Sequence, residues 1–272
     1  MKQLMLIAAA AASLFAATAA QAGPFILAGT DADDHGSVSG GVNQNGWLFM
    51  QRALENIYGG VTTGIKTVTI LGSTGKAATA ANSAFNLSAL VGASWTVNTV
   101  SAANFGAFFG AGGNLGTGIL MMDSGDEQLT GNVNGGVEGT MFNPYATKID
   151  QFLQAGGGLF SQANGYSWLS TLIAGVTVSN NQQSGLAITP AGMAAFPGLT
   201  NANLSSGPYH ENFKNFGGLT VLATGINANS GLDVIIGGAT GSITTQVPEP
   251  TSLALVGLAL AGIALSAKRK RA

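Results

Sequence analysis

The chain has 272 residues, a formal net charge of −2 and 8% charged residues, and it contains no cysteine. That balance leaves the body without a basic surface and argues against nucleic acid as a partner. The absence of thiols excludes disulfides, cysteine nucleophiles and thiolate metal sites.

Residues 1–22 combine an early charge at Lys2, an apolar stretch over 4–20 and Ala20-Gln21-Ala22. This is the pattern of a secretory signal peptide with an A-x-A cleavage site, so the mature chain is expected to begin at Gly23. The apolar run Phe25-Ile26-Leu27-Ala28 reads as a buried strand and is followed by Gly29-Thr30-Asp31-Ala32-Asp33-Asp34-His35-Gly36. Trp47, Met50, Leu54, Ile57 and Tyr58 recur at three- and four-residue steps and predict a helix from about Gly46, ended by Gly59-Gly60. TVTIL at 67–71 predicts a second strand, 77–90 a helix, 95–100 an extended segment, and GILMM at 118–122 another buried strand. A helix is expected over 144–155, capped by Asn143, opened by Pro144, and facing inward through Tyr145, Ile149, Phe152 and Leu153. Gly156-Gly157-Gly158 ends it, and Leu159-Phe160-Ser161 starts the next strand. A helix over 166–173 and strands at 176–178, 219–223 and 233–236 complete the body. The Gly-, Asn-, Ser- and Thr-rich stretches at 36–46, 124–140 and 180–186 read as loops.

Alternating helices and continuous apolar strands predict one α/β domain over 23–246, with a mainly parallel sheet covered by helices. A β-sandwich is the alternative. No fixed-length period repeats, which disfavours a solenoid. The segment from Ile149 to Ser161, a helix, three glycines and a strand, resembles a unit of class I glutamine-amidotransferase-like domains. That resemblance implies a flavodoxin-like three-layer fold. It does not carry the activity across, because those amidotransferases place a cysteine after this strand and this chain has none. The body also resembles exported PEP-CTERM proteins that carry Asp-Asp-His-Gly near the mature N-terminus.

Asp31, Asp33, Asp34 and His35 are the densest group of ionisable residues in the body, and the predicted strand before them places them at a carboxyl edge, where open α/β sheets bind ligands. Three carboxylates and an imidazole are donors for calcium or a metal with mixed ligands. The same residues equally serve as turn and helix caps. Asp123, Asp126 and Glu127 follow another predicted strand, either as a solvated loop or as a second half of the same site. His210 lies between Tyr209 and Glu211 and reads as a packed or hydrogen-bonded surface residue. Ser161, His210 and Asp123 can be written as a triad, but Ser161 lacks the G-x-S-x-G turn. Gly72-Ser73-Thr74-Gly75 and Gly110-Ala111-Gly112-Gly113 match no phosphate-loop pattern and read as turns.

Residues 247–272 read VPEPTSLALVGLALAGIALSAKRKRA. Two prolines keep the first block extended. The uncharged run over 251–267 is 17 residues, at the short edge of what spans a bilayer. Lys268-Arg269-Lys270-Arg271 favours the cytoplasmic side. The order and spacing of these blocks resemble the PEP-CTERM sorting signal of Gram-negative bacteria that make exopolysaccharide. The resemblance implies a membrane-spanning helix held briefly in the inner membrane. It also implies an exosortase, a sorting protease-transpeptidase, that recognises Pro248, Glu249 and Pro250 before release to the cell surface or matrix. A plain, uncleaved anchor is the alternative. The reading is of a non-enzymatic exported envelope or matrix protein without a cofactor, with exopolysaccharide a candidate partner. The alternatives are a degenerate or metal-dependent hydrolase on an amidotransferase-like fold, with a divalent cation at the first acidic loop, and a carbohydrate-binding module.

Overall fold

Apolar runs are buried on both faces, and four of them, with one polar and largely exposed edge strand, build the parallel half of one large sheet. They are β1 (Phe25–Ala28), β4 (Thr67–Leu71), β5 (Thr96–Val100), β6 (Ile119–Met122) and β7 (Gly158–Ser161), in the spatial order β5-β4-β6-β7-β1. Register places Phe25 opposite Leu159 and Leu120 opposite both Leu159 and Thr69. The computed structural model describes residues 23–110, 115–125, 139–162, 165–226 and 231–238. The expected signal peptide over 1–22 and the tail over 247–272 lie outside the described residues, as does the expected span at 251–267.

Beyond β1 the sheet turns antiparallel. β12 (Asp233–Gly238) pairs with β1, and β8 (Thr177–Ser184), β9 (Leu186–Ile188), β10 (Pro208–Lys214) and β11 (Thr220–Gly225) extend it to ten strands. Helices cover both faces. Helix α1 (Gly46–Tyr58) buries Trp47, Phe49, Met50, Leu54 and Ile57, and α2 (Gly75–Asn86) buries Ala80, Ala81, Ala84 and Phe85 in the same core. The short helices α3 (Ala89–Gly92), α6 (Pro190–Ala195) and α7 (Asn201–Leu204) join that layer. On the opposite face, α4 (Phe105–Gly110) and α5 (Ala146–Gln154) enclose Phe105, Phe109, Phe142, Ile149, Phe152 and Trp168. The molecule is therefore an α/β structure of three layers, and a β-sandwich is not what forms.

The four strands expected at 25–28, 67–71, 118–122 and 159–161 do share one sheet, within a residue at their ends. The three glycines after α5 have a packing reason. Gly156 has φ +87°, which L side chains avoid. A Cβ on Gly157 would lie 2.2 Å from the Phe152 ring, and one on Gly158 2.4 Å from Ile57.

Several expectations fail. The stretch at 36–46 is not a loop: β2 (Gly36–Ser39) and β3 (Val42–Asn45) form a hairpin, and Gly40 and Gly41, at φ 58° and 77°, supply its two-residue turn. Pro144 sits inside a 3-10 turn, Gly139–Tyr145, so the α-helix proper starts at Ala146. The helix expected over 166–173 is a single 3-10 turn at Leu169–Thr171. Residues 180–186 belong mostly to β8 and β9.

Candidate functional site

Connections leaving β4 and β6 set the geometry of the parallel half. The chain leaves β4 into α2 on one face and leaves β6 toward α5 on the other, while β4 and β6 are neighbours. Adjacent strands with opposite exits make a topological switch point, where a crevice opens at the carboxyl ends of the strands. The residues that follow β4, β6, β7 and β1 at that edge include Ser73, Asp123, Ser124, Gln162, Thr30, Asp31 and Asp33. All are buried to at least 95%.

The acidic loop is held mainly through its backbone. The Asp34 N–H bonds the Asp31 carbonyl at 3.0 Å, the Trp47 indole N–H bonds the Asp33 carbonyl at 2.8 Å, and the Lys76 ammonium bonds the Asp34 carbonyl. The His35 carbonyl accepts from the Gly46 N–H at 3.0 Å and the Ser206 hydroxyl at 2.9 Å. Its side chains then face different neighbours. Asp31 Oδ2 meets His35 Nε2 at 3.1 Å and His210 Nε2 at 3.3 Å. Asp33 Oδ2 accepts from both the backbone N–H and the hydroxyl of Ser124, each at 3.2 Å. Buried carboxylates need such donors, because desolvation without them costs several kcal/mol.

This brings Asp31, His35 and His210 together, and joins Asp33 to the segment carrying Asp123 and Ser124. Asp126 and Glu127 lie outside the described residues. Ser161 is fully buried, and its carbonyl accepts from the Tyr166 hydroxyl at 2.9 Å. Among the described residues no group of three or more His, Asp or Glu side chains is arranged to hold a metal ion. Ser73 Oγ, Asp31 Oδ1 and both amide atoms of Gln162 make no hydrogen bond among the described residues.

His210 is a strand residue. It lies on β10, and its N–H and that of Glu211 both bond the Gly29 carbonyl, at 2.7 and 3.2 Å. Two successive donors on one acceptor mark a β-bulge. The close approach requires glycine at 29, where a Cβ would lie 1.9 Å from the Glu211 carbonyl oxygen. The bulge shifts the alternation of β10, so Tyr209 packs under α1 while Phe213 packs in the opposite core. Glu211 Oε1 accepts from the Gly165 N–H at 2.7 Å. Burial pushes the Glu211 carboxyl up from 4.5 to about 7, against the smaller opposing pulls of that N–H and of His210. Sequence reasoning missed Ser124, Gln162 and Glu211. Two of them directly follow predicted strand ends, which was the available signal. Glu211 offered none, because β10 mixes polar and aromatic residues.

Residues 246–270 match the family model described as the PEP-CTERM protein-sorting motif. That motif marks the chain for sorting by an exosortase to the cell surface. No curated protein and no solved structure matches the chain.

Proposed function

We propose that this chain is a non-enzymatic protein of the cell envelope or extracellular matrix, held briefly in the inner membrane by residues 251–267 and released after recognition of Pro248, Glu249 and Pro250. The match at 246–270 carries the reading. The secretory pattern over 1–22 supports it, as does a sequence poor in charge and rich in Gly, Asn, Ser and Thr, a surface chemistry compatible with exopolysaccharide. The body is taken as a flavodoxin-like domain over 23–246. Its parallel strands order as two, one, three, four about the switch, with β1 in the fifth place. In the native host the mature C-terminus is expected near Pro250, because two prolines keep the segment accessible and the apolar run is short for an anchor. Intact-mass measurement checks this, and recovery of the full tail through Ala272 would leave a plain anchor.

The buried polar residues at the switch point favour a second reading, a ligand or cation site of hydrolase type around Asp31, Asp33, Asp34 and His35. A cation bound only by the folded state at a hundredfold excess over Kd stabilises it by about 2.7 kcal/mol. For a domain of this size that raises Tm by roughly 5–10 °C. The expected result is no shift for the full chain in detergent with calcium, manganese or zinc against chelator, because Asp31 turns to two imidazoles and Asp33 to Ser124. A saturable shift that Asp33→Asn abolishes would establish the cation site instead.

A further inference from the structure

A second feature lies apart from the acidic loop, on the face of the sheet that carries α5. A cleft of about 340 Å³ opens between the 166–170 segment and strands β8 and β10. Its lining is unlike the switch-point crevice. Val176 and Val178 give an apolar wall, Ser167, Ser170 and Asn180 give exposed hydroxyls and an amide, and Glu211 is the one charged residue in it. Only 5% of Glu211 is exposed. One carboxylate oxygen is taken by the Gly165 N–H, and the other, Oε2, makes no hydrogen bond among the described residues.

The charge count selects the ligand. An anion meets one carboxylate and no cation. A divalent metal needs several oxygen donors and finds one carboxylate, with no group of three acidic or His side chains about it. A neutral polyol leaves a buried carboxylate without a charged partner. A singly charged ammonium gives Oε2 a charge-assisted hydrogen bond, the strongest kind available to it. Hydroxyls on the same ligand then meet Asn180, Ser167 and Ser170, and its carbons meet the two valines. We propose that this cleft binds a primary ammonium carried on a small hydroxylated body, the chemistry of an amino alcohol or amino sugar, with Glu211 receiving the ammonium. This inference is independent of the sorting reading.

Because the ammonium pairs with the ionised carboxyl, binding is complete above about pH 7 and is lost as pH falls through that value. The titratable neighbours are His210, which is itself held by Asp31, and the phenol of Tyr166. The β8 and 166–170 sides of the cleft contribute no other ionisable lining residue. Protonation of His210 favours the ionised Glu211 and makes the fall shallower.

The experiment is titration calorimetry on the full chain in detergent, with ethanolamine as the cationic probe and ethylene glycol as its neutral counterpart, at pH 8 and pH 6. Glucosamine and glucose form a second pair at pH 7. Ethanolamine is expected to bind at pH 8, more weakly at pH 6 by up to about tenfold, and the neutral probes not at all. Glucosamine binding extends the ligand class to amino sugars, and its failure beside bound ethanolamine restricts it to amino alcohols. Glu211→Gln keeps an acceptor for Gly165 and is expected to abolish binding. Ser170→Trp fills the exposed rim without touching Glu211 and is expected to abolish binding with an unchanged melting curve. No heat with either amine at millimolar concentration overturns the proposal. So does equal binding of the neutral probes, or binding that survives Glu211→Gln or Ser170→Trp in a folded protein.

Discussion

Replacing Asp33 with alanine is expected to destabilise the folded body by roughly 2–6 kcal/mol, the cost of taking this acceptor from two buried donors of Ser124. Asp33 is 1% exposed, and its carboxylate takes both donors of Ser124, which is itself 3% exposed. Alanine takes this acceptor away from a buried N–H and a buried hydroxyl, at about 1–3 kcal/mol each. Asparagine keeps an acceptor oxygen and gives up the charge, so Asp33→Asn should cost roughly 1–2 kcal/mol. The contact also fixes geometry, because it ties the loop after β1 to the loop after β6 across the end of β7. Urea unfolding of the two variants against wild type checks the ordering. An alanine variant within about 1 kcal/mol of wild type would mean that Asp33 is merely accommodated, and that the 123–125 segment is placed by something else.

The parallel half of the fold was legible because burial on both faces forces apolar continuity. FILA, TVTIL, ILMM and the LFS of β7 have no other use for that composition, and α1 shows its buried stripe at helical spacing. The antiparallel half was legible only in part: the strands expected at 219–223 and 233–236 match β11 and β12, while β9 and β10 were not read as strands. In β8, TVSNNQQS, only the first residues fall in the strand expected at 176–178, and the part from 180 onward reads as a loop that becomes a strand by pairing with β10. The hairpin of β2 and β3 is polar and short, and its sole local signature was Gly40-Gly41. The acidic loop was located correctly at a carboxyl edge. Whether its side chains converge depends on which strands neighbour β1, and strand order is a long-range property. His210 illustrates this: it reaches Asp31 because the β10 bulge docks on Gly29, a contact that no local pattern announces. Reading His210 as a packed or hydrogen-bonded surface residue caught its packing, at 14% side-chain exposure, and missed its Asp31 partner for the same reason.

Glu211 should make the protein less stable as pH rises from about 4.5 to about 7. Its carboxyl titrates near 4.5 when unfolded and near 7 when folded, because burial penalises the charged form more than the Gly165 N–H and His210 favour it. Between those values the folded state holds a proton that the unfolded state has released. Stability therefore declines with pH across that window, and the penalty is fully present above the folded value. A shift of this size corresponds to about 3 kcal/mol, at 1.36 kcal/mol per unit. Glu211→Gln removes the titration while keeping an oxygen for Gly165. The difference in unfolding free energy between wild type and variant should thus move by about 3 kcal/mol in the variant's favour between pH 4 and pH 8. Urea unfolding of both proteins at several pH values measures this directly, and using the difference cancels the other carboxyls raised by burial, Asp150 and Asp233. Parallel stability curves for the two proteins would show that Glu211 ionises as freely in the folded state as in the unfolded one. Its carboxylate would then already be well solvated, and the cleft beside it would have no unmet demand for a cation. A divergence that develops between about pH 4.5 and pH 7 and shrinks when ethanolamine is added would tie the stored cost to the ligand that relieves it.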